Sequence, residues 1–181
     1  YAERFYKKGI TARNCLRIIV GTWLHHGRFQ KYPLHMLCAS AYTACDCARF
    51  GNYTCRMFKW GYFPETKHYT MSQICANKRG EKHSILWAGR FIALKHPEAA
   101  IFLAKDLKQD GYCFDMNIIG YGPLEEQMRS LIAELDVADC VHILGRKTPQ
   151  EVRHHMETSQ VFLFTSDYQE GWGAVLNEAM N

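Results

Sequence analysis

From residue 84 onward, apolar and polar positions alternate in two distinct rhythms. Ser84-Ile-Leu-Trp-Ala-Gly89, Phe114-Asp-Met-Asn-Ile-Ile-Gly120, Val141-His-Ile-Leu-Gly145 and Val161-Phe-Leu-Phe-Thr-Ser166 are short, largely apolar runs that end near Gly or Ser. Such runs predict strands buried on both faces of a parallel sheet. Between them the period lengthens. Ala100, Leu103, Ala104 and Leu107 follow i, i+3, i+4, i+7 spacing after Pro97, with Gly111 as a stop. Leu124, Met128, Leu131, Ile132 and Leu135 share one face of a second helix. Thr148-Pro149-Gln150-Glu151 is a capping box with proline in the first helical position, and predicts a third. Strand and helix in alternation define an α/β fold, a Rossmann-like doubly wound parallel sheet.

Upstream the pattern is less regular. Residues 35–40 predict a strand, 41–50 a helix ending near Gly51, and 54–60 a second strand, which together make a β-α-β remnant. The expected organisation is therefore the end of an earlier domain over 1–66, a linker over 67–83 and a second domain over 84–181. The chain opens on Tyr1 and stops at Asn181 inside or just after a fourth helix, so it reads as a fragment of a longer protein, incomplete at its C-terminus.

Composition narrows the class. The chain has 181 residues, 48% hydrophobic and 22% charged, with ample material for a core. No apolar run approaches the roughly 18 residues of a membrane span. Eight cysteines form no pair of Cys-x-x-Cys motifs, and several, such as Cys38, sit in apolar runs where a thiol packs as a small hydrophobe. This favours a reducing, cytoplasmic setting. Charge is uneven: residues 1–83 hold 14 Lys+Arg against 4 Asp+Glu, and residues 84–181 hold 8 against 14. The basic half suits an anionic partner, such as the inner face of the cell membrane contacted peripherally or a lipid-phosphate acceptor. An ordinary solvated basic surface explains it equally well. No nucleic-acid motif accompanies the charge, so nucleic acid is not an expected partner.

The stretch richest in chemistry is Glu170-Gly171-Trp172-Gly173-Ala174-Val175-Leu176-Asn177-Glu178. A glycine-rich turn after a strand opens the last helix, and free amides at a helix N-terminus suit a diphosphate. Gly171 and Gly173 permit close backbone approach. Carboxylates at either end, Glu170 and Glu178, can accept hydrogen bonds from vicinal hydroxyls. Arg90 and Lys95 follow the first strand, at the carboxyl edge where such sheets bind ligands, and can neutralise a leaving diphosphate. Gly120-Tyr121-Gly122 ends the second strand at the same edge. The plain alternative is a set of solvated surface charges around a turn.

In this order the motifs Gly-Arg-…-Lys-His, Ile-Ile-Gly-Tyr-Gly, Val-His-Ile-Leu-Gly, Phe-Thr-Ser and Glu-Gly-Trp-Gly-Ala-Val-Leu-Asn-Glu-Ala-Met are similar to the donor domain of family 4 glycosyltransferases, over residues 84–181. Ser40-Ala-Tyr-Thr-Ala-Cys-Asp and Phe58-Lys-Trp-Gly-Tyr-Phe-Pro64 resemble the end of that family's N-terminal domain. The resemblance implies a GT-B type fold and a retaining hexosyl transfer from a nucleotide-diphosphate sugar. The carrier is UDP by family habit, with GDP next, and the acceptor is a glycan or lipid-linked molecule of bacterial cell-surface polysaccharide synthesis. Arg90 and Lys95 match the pair that stabilises the departing diphosphate, Glu170 the glutamate on the transferred sugar, and Glu178 the one on the ribose. Gly171, Trp172 and Gly173 would face sugar and phosphates, Gly120 and Gly122 the nucleotide, and Gly145 and Arg146 the base. The resemblance implies no cofactor and no metal. The family's acceptor-side residues would precede Tyr1, which leaves a nucleotide-sugar-binding module without transfer as the other reading of the fragment. A Rossmann dehydrogenase built on Gly120-x-Gly122 would need a third glycine where Glu125 stands.

Overall fold

The computed structural model describes residues 12–29, 31–49, 53, 55–167 and 170–181. They fall into two compact units, one within 1–63 together with 168–172, the other within 64–167 together with 173–181.

The first unit contains helix α1 (Ala12–His25), strand β1 (Met36–Cys38), helix α2 (Thr43–Arg49) and strand β2 (Met57–Lys59). β1 and β2 pair in parallel, Met36 opposite Met57 and Cys38 opposite Lys59, so the expected β-α-β arrangement is present with shorter strands. The expected start of the second strand at Thr54 and the helix end at Phe50 and Gly51 lie outside the described residues. A small core joins Met36, Cys38, Cys47 and Tyr53. Burial, the largest cause, pushes the Cys47 thiol up to about 11 and raises that of Cys38, so both pack as neutral thiols. Helix α1, in a segment with no predicted element, carries Leu16, Ile19, Val20 and Trp23 on an exposed side.

The second unit begins with helix α3 (Met71–Asn77), which occupies the segment expected as a linker. Its start is fixed by Thr70, whose hydroxyl accepts from the Gln73 amide while the Gln73 side chain accepts from the Thr70 amide. Then follow β3 (His83–Ala88), α4 (Glu98–Gln109), β4 (Phe114–Ile119), α5 (Glu125–Glu134), β5 (Val141–Gly145), α6 (Pro149–Thr158), β6 (Val161–Leu163) and α7 (Ala174–Ala179). The four strands form one parallel sheet in the order β5-β4-β3-β6. The chain thus steps outward from β3 to β5, then returns across β3 to lay β6 on its other side. This reversal makes the sheet doubly wound and places its switch point between β3 and β6.

Apolar side chains fill both faces. On one side Ile85, Trp87, Phe91, Ile101, Met116, Ile118, Met128 and Val137 pack with α4 and α5. On the other, Leu86, Ala88 and Ile119 meet Met156 of α6 and Val175 of α7. The alternation along β3 follows from strand geometry, with successive side chains facing opposite layers.

One expectation is corrected here. The strand over 161–166 ends at Leu163, because Thr165 turns its hydroxyl to the Lys95 carbonyl and the Asp167 amide donates to the Leu94 carbonyl instead of to a ladder. The last helix starts at Ala174, opened by the glycine-rich turn as expected: Gly173, at φ 70°, is its N-cap in the left-handed region.

Candidate functional site

The carboxyl ends of β3, β4, β5 and β6 bring three predicted segments together. The chain leaving β3 is laced to the chain leaving β4: the Gly89 amide donates to the Ile119 carbonyl at 3.0 Å, the Phe91 amide to the Tyr121 carbonyl at 2.9 Å. The Leu124 amide then donates back to the Phe91 carbonyl at 3.2 Å. Gly120 and Gly122 exist for this approach. A Cβ on Gly120 would lie 1.8 Å from the Gly89 carbonyl oxygen, and one on Gly122 would lie 2.5 Å from that of Phe91. Their φ values of 152° and 156° are open to glycine alone. Sequence reasoning assigned this pair to nucleotide contact; the geometry gives it a packing reason first.

The β5 exit joins the same group. The Gly120 amide donates to the Gly145 carbonyl at 3.0 Å, and the Arg146 guanidinium lies over the Tyr121 ring, 5.1 Å from its centroid. Arg90 is exposed at the mouth of β3.

Lys95 ends a short 3-10 turn, Ala93–Lys95. Its ammonium stands 5.8 Å from the Phe164 ring centroid, and its carbonyl receives the Thr165 hydroxyl. Thr165 also accepts the indole N–H of buried Trp87 at 2.8 Å. The turn bearing Lys95 is therefore tied to the β6 exit across the switch point. Phe164 reaches the start of α7 as well: a Cβ on Gly173 would come within 2.9 Å of its ring.

Beside Lys95 stands a residue the sequence did not single out for chemistry. His96, left-handed at φ 46°, holds Glu98 at 2.9 Å through Nδ1 and faces Asp167 at 3.7 Å through Nε2. The Glu98 hydrogen bond, the largest cause, and the charge of Asp167 raise its pKa above the ordinary 6.5. The local signal was absent because Asp167 is far along the chain.

Glu178 lies on α7, exposed, with its carbonyl accepting from Arg153 at 2.9 Å; Arg153 also donates to the Asn181 carbonyl at 2.7 Å. Cations suit the carbonyl-rich end of a helix. A cleft of about 550 Å³ beside α6 is lined by Lys67, Lys147, Arg153, His154, Glu157 and Glu178 among others. Tyr69 and Lys67 both donate to Glu157 and hold its carboxyl below the usual range, the Tyr69 hydrogen bond contributing most.

Glu170, Gly171 and Trp172 belong to the first unit. Glu170 is half-buried. The Trp172 ring packs on Gly61, where a Cβ would meet it at 2.9 Å, and lies 6.0 Å from the Tyr62 ring. Among the described residues, no group of three or more His, Cys, Asp or Glu side chains is placed to hold a metal ion, and no helix is long and apolar enough to cross a membrane.

A doubly wound parallel sheet with cationic side chains beyond its central strand defines a Rossmann-like domain. The family described as Glycosyl transferases group 1 matches residues 75–181, more than half of the chain, and the chain belongs to that family. It is 38% identical over 101 residues to the amylovoran biosynthesis glycosyltransferase AmsK of Erwinia amylovora, a match covering 53% of this chain and 25% of that protein. The chain thus spans about a quarter of the length of this curated relative. Among solved structures, a mutant of S. aureus TarM in complex with Fondaparinux, alpha-GlcNAc-glycerol and UDP superposes with a TM-score of 0.67 at 14% identity, over 95% of this chain and 31% of that one. Anabaena HepE in complex with UDP and glucose gives 0.63 at 16%, over 94% and 46%. These likenesses establish the fold.

Proposed function

We propose that the protein acts as a retaining glycosyltransferase, moving a hexosyl group from a UDP-linked donor to a glycan or lipid-linked acceptor in cell-surface polysaccharide synthesis. The observation that carries the reading is the switch point itself. Arg90 and Lys95 stand at the carboxyl end of the central strand, where a parallel sheet receives a ligand, and Lys95 is fixed there by the β6 exit. Family membership and the polysaccharide role of AmsK support the same reaction. The UDP bound by TarM and by HepE supports the choice of nucleotide.

In this reading the nucleoside diphosphate departs with its charge met by Arg90 and Lys95, without a metal or other cofactor. Glu170 contacts the transferred sugar, which develops oxocarbenium character, and the acceptor hydroxyl attacks from the face the leaving group vacates, passing its proton to the departing diphosphate. Glu178 holds the ribose, Gly145 and Arg146 the base, and Gly171, Trp172 and Gly173 line the sugar and phosphates. The cleft shared by Lys147 and Glu178 has the size of a nucleoside site. The residues up to 66 form the end of an acceptor-side domain, those from 84 the donor domain. The basic N-terminal half favours peripheral contact with the cytoplasmic face of a membrane.

The test is a panel of nucleotide sugars scored by thermal shift and by release of free UDP. Stabilisation and turnover with a UDP-sugar are expected. Stabilisation without turnover, with acceptor present, would leave a binding module, and stabilisation by NADH alone would remove the whole reading.

A further inference from the structure

We infer that His96 is a positioning residue, a charged clamp between Glu98 and Asp167 that sets how firmly Lys95 is presented to a diphosphate. The inference rests on the donor-site reading above.

The geometry leaves the imidazole one satisfactory state. Nδ1 is 2.9 Å from a Glu98 carboxylate oxygen and Nε2 is 3.7 Å from one of Asp167. A neutral imidazole carries a single N–H, so it would donate to one carboxylate and turn a lone pair toward the other. Only the cation offers a proton to both. The charged groups facing the ring are Glu98, from the first turn of α4, and Asp167, from the β6 exit; Lys95 precedes it in its own turn.

The backbone shows what the clamp holds. His96 takes up φ 46° and ψ 54°, a conformation that costs a non-glycine residue energy. Its amide donates to the Ala93 carbonyl and its carbonyl accepts from the Ala99 amide, so it couples the Lys95 turn to α4. Asp167 in turn donates its amide to the Leu94 carbonyl. Two neutral links, from Asp167 to Leu94 and from Thr165 to Lys95, already join the β6 exit to this turn. His96 adds the link that depends on pH.

The sign follows from the raised pKa. The clamp is complete below the ordinary value of 6.5 and is lost as pH rises through the elevated value of the folded protein.

The experiment measures the dissociation constant of UDP alone from about pH 6 to about pH 8.5 in wild type, His96→Asn and Asp167→Asn. Asparagine tolerates the left-handed backbone while removing the charge. Wild type is expected to lose about fivefold more affinity across this range than either variant, which also discounts the titration of UDP itself. In parallel, the His96 imidazole followed by NMR is expected to titrate above 6.5 and to fall in Asp167→Asn. Equal pH slopes in all three proteins, or an imidazole that titrates at or below 6.5, overturn the inference while leaving the donor site standing. Absence of UDP binding at every pH removes the donor site and the inference with it. If His96→Asn does not fold, Asp167→Asn carries the comparison.

Discussion

Gly120 lies against Gly89 so closely that a Cβ on the former would sit 1.8 Å from the carbonyl oxygen of the latter. The contact seals the exits of β3 and β4 together, with Arg90 the next residue after one glycine and Tyr121 the next after the other. Gly120→Ala combines a real clash with a backbone conformation closed to alanine, and is expected to destabilise by about 3 kcal/mol. Urea unfolding checks it. A loss under about 0.5 kcal/mol would mean that the two exits are not packed as described.

Thr165 is the hub between the buried Trp87 indole and the Lys95 carbonyl. Thr165→Val keeps the shape and deletes both hydrogen bonds, leaving the indole N–H unpaired at a cost of about 1–3 kcal/mol. Unfolding experiments read the stability, and UDP affinity should fall with it, because the Lys95 turn loses a tether.

Lys95→Ala and Arg90→Ala remove the cations proposed to meet the diphosphate. Each is expected to lower turnover with a UDP-sugar by about 100-fold or more while leaving the melting temperature within a few degrees. Glu170→Ala should lower turnover, whereas Glu178→Ala should chiefly raise the dissociation constant for UDP. Rates at the wild-type level in all four would refute the assignment.

The start of α6 gives a pH prediction. Thr148 caps the helix, and its amide and hydroxyl hydrogen bonds to Glu151, the amide first, hold that carboxyl below its ordinary 4.5. A depressed carboxyl stabilises the fold above its unfolded value and loses the effect as pH falls through the folded one. Thr148→Ala should cost about 1 kcal/mol near neutrality. The gap between variant and wild type should narrow as the pH drops below about 4.5, which denaturant titrations at several pH values would show.

How much of this was legible depended on whether the signal was local. The Thr148–Glu151 box, the strand cores and the stop at Gly111 are written in neighbouring residues, and the structure places them as read. Helix α3 carried the same kind of mark in Thr70-x-x-Gln73, but its surroundings, charged and short of a long apolar stripe, concealed it. The run over 161–166 reads as one strand because Phe164 and Thr165 look like strand residues, yet the strand ends at Leu163. Their side chains are committed instead to Lys95 and Trp87, partners on a distant segment. The same holds for the candidate site. Arg90 and Lys95 could be placed at a strand end from sequence, but His96 could not be paired with Asp167. The packing duty of Gly120 and Gly122 likewise needed the β3 exit to be seen beside them.

The position of β6 has a consequence for synthesis. β3, β4 and β5 lie in sequence order and can pair as they leave the ribosome, but β3 waits for β6 before its second edge is covered. For roughly seventy further residues of translation, the nascent chain carries Ile85, Leu86 and Trp87 on an open strand edge, the kind of template that invites pairing between chains. Crowded polysomes should therefore be the stage at which this protein is most vulnerable to aggregation, and a chaperone acting there would guard the central strand rather than the finished fold.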